Sequence, residues 1–182
     1  FYKQPVVVFM KKHPTTLVSF FGTIYSGNYY VPLDDEMPSH RIDLILRTLK
    51  PQAMICDEDT CELVKQFAYE GKTYIYSDIC HTPVNEEALA ATRDRQIDTD
   101  PIYVVFTSGS TGVPKGVIAC HRSVIDYTES LCEAIGFSED TVFANQTPLY
   151  FDAPLKEIMP TIKLGATAYL VPKMLFMFPV KL

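Results

Sequence analysis

No stretch of this sequence approaches the roughly 20 consecutive apolar residues that a membrane-spanning helix requires, and no charged-then-apolar leader opens it. No membrane partner is expected, and the chain reads as cytoplasmic. Basic residues are in deficit: 16 Lys and Arg stand against 22 Asp and Glu, for a formal net charge of −6, with the two signs interspersed. There is no basic stripe to follow a nucleic-acid backbone and no polybasic patch for a lipid surface, so any bound phosphate must be held by a local site. Cys56, Cys61, Cys80, Cys120 and Cys132 are odd in number and contain no CxxC pair, which fits reduced thiols in a core. His13, His40, His81 and His121 are scattered without metal-ligand spacing, and no metal ligand is expected within this sequence. Internal repeats and low-complexity tracts are absent. So is an initial methionine, and the apolar ending "MLFMFPVKL" carries no helix stop signal, so the sequence reads as a piece of something longer.

What is present suits one well-buried domain: 182 residues, 47% of them hydrophobic. Short β-rich runs alternate with amphipathic segments, which predicts an α/β fold with a mainly parallel sheet flanked by helices over residues 1–182. Strands are expected at Val6 to Met10, "YYVPLD", "QAMICD", "KTYIYSD", "PIYVVFT", "TVFANQ" and "ATAYLV". A helix from Thr15 to Ser26 carries apolar residues on nearly all sides and should be deeply buried. A helix from Ser39 to Leu49 has Ile42, Ile45, Leu46 and Leu49 on one face. Thr60 is expected to cap a third helix, with Leu63, Val64, Phe67 and Ala68 facing inward before Gly71. The polar, acidic stretch from His81 to Asp100 reads as a surface connection. Ser123 to Ile135 should be a helix with Val124, Tyr127, Leu131 and Ile135 inward, and Asp152 to Leu164 a helix disturbed at Pro160.

The segment "VVFTSGSTGVPKG", Val104 to Gly116, stands apart. An apolar strand breaks into hydroxyls, three glycines, a proline and one lysine. Strand ends are where an open α/β sheet places its ligand crevice. Glycines admit close backbone approach, hydroxyls donate to phosphate oxygens, and Lys115 neutralises charge. A nucleotide polyphosphate suits such a loop, which should be exposed and poorly ordered without it. The spacing is not GxxxxGK[ST], because Gly109 and Gly112 lie six and three residues before Lys115 and a glycine follows it. The alternative is a plain solvent loop, which leaves four hydroxyls, a proline and a lysine within ten residues unexplained.

"YVVFTSGSTGVPKGV" resembles the phosphate-loop signature of the adenylate-forming superfamily, which includes acyl-CoA synthetases, luciferases, nonribosomal peptide synthetase adenylation domains and D-alanine–carrier protein ligases. "SGNYYVPLDDEMPSHRIDLIL" upstream, "HRSV" after the loop and "FDAPLKE" further on are similar to other segments of that family. The resemblance implies ATP-dependent activation of a carboxylate: its oxygen attacks the α-phosphorus, pyrophosphate leaves, and an acyl-adenylate forms before transfer to a thiol. It also implies that Thr107, Ser108, Gly109, Ser110, Thr111, Gly112 and Lys115 form the phosphate site, with Lys115 the catalytic cation. Mg²⁺ is implied as well, with its ligand beyond this sequence. So are the adenine-stacking aromatic, the ribose-binding aspartate, the hinge and the adenylation lysine, and the piece alone is therefore expected to lack efficient catalysis.

Within the family, "YFDAP" separates branches. Amino-acid-activating members resemble this sequence in placing an aspartate after phenylalanine, where it pairs with the substrate α-ammonium; Asp152 occupies that position, with Ala153 and Lys156 beside it on the substrate side. The implied partners are an amino acid and a carrier protein bearing a phosphopantetheine thiol, with an acyl-CoA synthetase or a noncatalytic nucleotide-binding domain as alternatives. Asp152 has a second reading as a helix cap. Two departures from the family's "FDxSVxE" stand out: Pro154 replaces serine, and Lys156 takes an uncharged pocket position. Pro154 suits a helix's first turn. Lys156 either points outward or neutralises Asp152, or else pairs with an acidic substrate side chain. His121 lies near the loop in sequence; it reads as a residue at a helix start as readily as one approaching the acyl site, and is assigned no proton transfer.

Overall fold

The structure, a computed structural model, describes residues 1–107, 112–172, 174 and 175. They divide into two compact units, Phe1–His121 and Arg122–Leu182.

The first unit is built on a six-stranded sheet. Its strands are β1 (Pro5–Phe9), β2 (Tyr29–Leu33), β3 (Ala53–Cys56), β4 (Lys72–Ile75), β5 (Pro101–Thr107) and β6 (Lys115–Cys120), in the order β4-β3-β1-β2-β5-β6. All neighbours are parallel except β5 and β6, which form an antiparallel hairpin around the glycine-rich segment. The mainly parallel sheet is as expected. β1, "PVVVF", is buried along its whole length, as a central parallel strand covered on both faces must be. Val7, Val8, Phe9, Val31 and Met54 form the centre of the core. β6 is not among the expected strands: "KGVIAC" begins at Lys115, has a glycine at its second position and is exposed over its first four residues, so it lacks the buried alternation of an ordinary strand.

Helices α1 (Pro14–Tyr25), α2 (Ser39–Leu49), α3 (Glu58–Val64), α4 (Tyr76–Ile79) and α5 (Glu86–Arg95) connect these strands. α2 matches its expected span, and Ile42, Ile45 and Leu46 hold it on the core. α1 departs from expectation. It buries one face, Thr16, Ser19, Phe20 and Thr23, while Val18 and Tyr25 are exposed. The buried hydroxyls are accommodated because they donate to carbonyls: Thr16 to Lys11, Ser19 to Thr15 and Thr23 to Ser19. Thr60 is not the cap of α3. Asp57 is, in a capping box in which Thr60 supplies the reciprocal bond. α3 ends at Val64, and Phe67 beyond it packs edge-on against Phe9. The polar, acidic stretch from His81 to Asp100, expected as a surface connection, contains α5, capped by Asn85, with Glu86 and Glu87 in its first turn and Arg93 and Arg95 in its last.

The second unit contains α6 (His121–Ile135) from Arg122 onward, α7 (Leu155–Leu164) and a two-stranded parallel sheet of β7 (Val142–Asn145) and β8 (Thr167–Leu170). α6 turns Val124, Thr128 and Cys132 inward; Val124 is as expected, whereas Tyr127 and Ile135, also expected inward, are exposed. α7 starts at Leu155, three residues later than expected, and runs through a buried Pro160 to Gly165 in the left-handed conformation.

Candidate functional site

The hairpin of β5 and β6 carries the glycine-rich segment at its tip. Thr107 and Lys115 pair across its mouth, the last residue of one strand opposite the first of the other. Opposed residues of an antiparallel pair project from the same face, with Cβ atoms about 5 Å apart. The Thr107 hydroxyl and the Lys115 ammonium thus leave the sheet together, and both residues are exposed. Thr107 Oγ1 also lies 3.4 Å from the Lys115 carbonyl. Gly112 has φ +78°, a left-handed conformation that costs a residue with a Cβ about 1–2 kcal/mol. Ser108, Gly109, Ser110 and Thr111 lie outside the described residues.

Gly116 has a different reason for being glycine. A Cβ there would meet Val104 Cγ1 at 3.0 Å and the Phe106 ring at 3.2 Å. One face of the hairpin is therefore closed by Val104 and Phe106 lying over Gly116, while Thr107 and Lys115 occupy the other. The glycine that follows the lysine lets the strands close up and keeps the lysine at the mouth.

A further contact was not foreseen. Arg41 of α2 donates from its NH2 group to the Phe106 carbonyl at 2.8 Å, across 65 residues of sequence. A signal existed: Arg41 sits in the first turn of a helix with no acidic residue there, where the helix dipole disfavours a cation.

His121 is remote from the loop. It follows β6, whose Cys120 pairs with Pro101, so it stands at the opposite end of the hairpin, about 20 Å away at about 3.4 Å per strand residue. Its backbone N–H bonds to the Asp100 carbonyl, and its Nε2 lies 3.0 Å from Gln96 Nε2. Burial lowers its pKa. Nearby, the buried Asp100 accepts from Lys3 at 2.7 Å, from the Tyr2 hydroxyl at 3.1 Å and from the Ile97 N–H at 3.2 Å. Burial opposes its ionisation, but these donors outweigh burial and hold its carboxyl below the usual range.

In the second unit, Asp152 is exposed and Ala153 half-buried in the turn that leads into α7. α7 is capped at Pro154 with no side-chain cap bond, so Asp152 does not serve as the cap, and its backbone carbonyl accepts from Leu155. The side chain of Lys156 is half exposed, with Nζ 3.8 Å from Glu157 Oε1. Glu157 is largely buried and accepts a 3.1 Å bond from Nδ2 of the fully buried Asn145 at the end of β7. That bond ties the first turn of α7 to the end of β7, and the Leu155 N–H to Asp152 carbonyl bond joins the preceding turn to the same helix.

Comparison with known proteins gives a consistent result. The family described as AMP-binding enzyme matches residues 2–181. The D-alanine–D-alanyl carrier protein ligase of Lactiplantibacillus plantarum is 33% identical over 178 residues, 94% of this chain and 33% of that protein. A hybrid PKS-NRPS synthetase of Acremonium sp is 32% identical over 168 residues, 92% of this chain and 4% of that protein. The chain thus spans about a third of the ligases it matches. Among solved structures, a four-domain nonribosomal peptide synthetase bound to AMP and glycine superposes with a TM-score of 0.81 over 99% of this chain and 13% of that one, at 21% identity. VinN in complex with L-aspartate does so at 0.75 over 92% of this chain and 48% of that one, at 19% identity.

Proposed function

The chain belongs to the AMP-binding enzyme family, and from that premise we propose that it is the part of an amino-acid adenylation domain that holds the departing phosphates and reads the substrate's ammonium group. The observation that carries this reading is the pairing of Thr107 with Lys115 across the mouth of an exposed hairpin. ATP supplies the adenylyl group and the pyrophosphate that leaves. The chain's own contribution is electrostatic. Carboxylate attack brings an anion toward a polyanion, so a fixed cation and fixed donors must offset the repulsion as charge shifts onto the leaving phosphates. Lys115 provides the cation, anchored on a paired strand. Thr107 provides a hydroxyl donor and Gly112 an amide donor beside it, and Ser108, Ser110 and Thr111 add further hydroxyls to the same stretch of sequence. A triphosphate suits this arrangement because Thr107, Gly112 and Lys115 are all exposed and Gly112 is left-handed.

Amino acids are favoured over simple acids by Asp152. Its carboxylate is not committed to capping α7 and suits an α-ammonium. The ligase relatives support the same branch: their own substrate is D-alanine and their acceptor a carrier protein. Transfer to a phosphopantetheine thiol is the corresponding second step, for which the remaining two thirds of such a protein would be required.

The test uses the full-length protein and amino-acid-dependent pyrophosphate exchange. Asp152→Ala should depress exchange by more than about tenfold, equivalent to about 1.4 kcal/mol, while sparing ATP binding. The wild type should strongly prefer an amino acid over its des-amino analogue, and the variant should lose most of that preference. Equal wild-type activity on both compounds would favour acyl-CoA synthesis instead.

A further inference from the structure

We propose that Arg41 is a positioning residue for the phosphate-holding hairpin, tethering the strand end from which the glycine-rich segment departs. The inference rests on the reading of that segment as the phosphate site. β5 is joined to β2 at a single register pair, Tyr30 with Tyr103. Its last residues, which lead into the loop, therefore depend on the hairpin with β6 and on whatever else reaches them. Arg41 does so, donating to the Phe106 carbonyl at 2.8 Å, one residue before Thr107.

The tether is stiff at its origin. α2 is held by Ile42, Ile45 and Leu46, each at most 4% exposed, immediately beyond Arg41. The Arg41 backbone N–H is itself bonded to the Pro38 carbonyl, and its Nε is buried. An always-charged, planar donor on a packed helix fixes direction as well as distance, and its bond to a carbonyl is stronger than a neutral one. Its position is costly, since a cation in a first turn opposes the helix dipole, and the geometry shows what that position achieves. Phe106 also covers Gly116 on the closed face of the hairpin. Holding Phe106 therefore sets the register in which Thr107 and Lys115 face each other. Displacing a catalytic cation by about 1 Å is enough to cost rate. Arg41 acts through Phe106 and touches no reacting atom.

The experiment compares wild type, Arg41→Lys, Arg41→Met and Lys115→Ala in the full-length protein, by pyrophosphate exchange and by hydrogen exchange of the amides of β5 and β6. Arg41→Met should raise KM for ATP and for pyrophosphate by about fivefold or more, with KM for the carboxylate substrate changed less than about twofold. Arg41→Lys, which keeps the charge but loses the fork, should fall between. In both Arg41 variants the amides of residues 104–107 should exchange faster while those of β1 and β3 stay protected. If Arg41→Met does not fold, Arg41→Lys decides. Unchanged KM for ATP with unchanged exchange at 104–107 in Arg41→Lys would overturn the proposal. So would a uniform loss of protection across the sheet, which would mark Arg41 as a general support. Should Lys115→Ala leave pyrophosphate exchange untouched, the phosphate reading fails instead, and the tether then stands or falls on the local hydrogen exchange.

Discussion

Removing Glu157 should loosen the substrate-side turn by an amount that can be worked out from its surroundings. Its carboxylate accepts from Nδ2 of Asn145 at 3.1 Å, and Asn145 is fully buried, so Glu157→Ala abolishes a bond to a charged acceptor and strands a donor where water has little access. Such bonds are worth about 1.5–3 kcal/mol. Glu157 also lies in the first turn of α7, where a negative charge adds about 0.3–1 kcal/mol. The neighbouring Lys156 is half exposed at 3.8 Å and adds little. The expected cost is about 2–4 kcal/mol. Glu157→Gln retains an acceptor and should lose only about 1 kcal/mol. Hydrogen exchange in the full-length protein reads this locally: protection of the β7 and α7 amides should fall by about 30-fold to 1,000-fold in the alanine variant, at about 1.4 kcal/mol per decade. KM for the carboxylate substrate should rise with it, because Asp152 sits in the turn that α7 anchors. A fall in protection of less than about threefold would refute the argument, showing that the pair contributes under about 0.7 kcal/mol and that the turn is held by something else.

Gly116→Ala should lower stability by about 1–3 kcal/mol, seen as a reduced melting temperature, because its Cβ would press on Val104, which is only 3% exposed and cannot retreat; an unchanged melting temperature would show that the hairpin opens freely. Ile45→Ala should cost about 2–5 kcal/mol in urea unfolding, since Ile45 is fully buried beneath α2. Asp100 has a folded pKa below its unfolded value of about 3.9, so its stabilisation is fully present above that value and is lost as pH falls through the folded one. The stability advantage of wild type over Asp100→Asn should hold constant above about pH 5 and shrink below about pH 4; a difference that stays flat to pH 3 would contradict the network drawn around Lys3 and Tyr2.

Local pattern explains what was legible in the sequence and what was not. β1 and β5 are continuous apolar runs, and α2 keeps its apolar residues at helical spacing, so each element announces itself without reference to its neighbours. β6 could not do so. Its strand character comes from pairing with β5, in register from Thr107 with Lys115 to Tyr103 with Ala119 and, past an irregularity at Ile102, Pro101 with Cys120, and that pairing stabilises an exposed run no pattern would select. α5 was hidden for the opposite reason: with no buried residue it has no apolar stripe, and only its Asn85 cap and its acidic and basic ends mark it. The inward face of α6 is only partly legible: apolar residues at helical spacing mark Val124, Tyr127, Leu131 and Ile135, but the buried row is Val124, Thr128 and Cys132, and a threonine and a cysteine do not stand out in an apolar pattern. The candidate site divides along the same line. Thr107, Gly112 and Lys115 stand in one short segment and are readable there. Gly116 needs Val104 and Phe106 over it to show why it is glycine, and Arg41 needs a partner 65 residues away. A glycine-rich segment can thus be recognised from its composition, but the direction in which its lysine points is decided by contacts that meet only in the folded sheet.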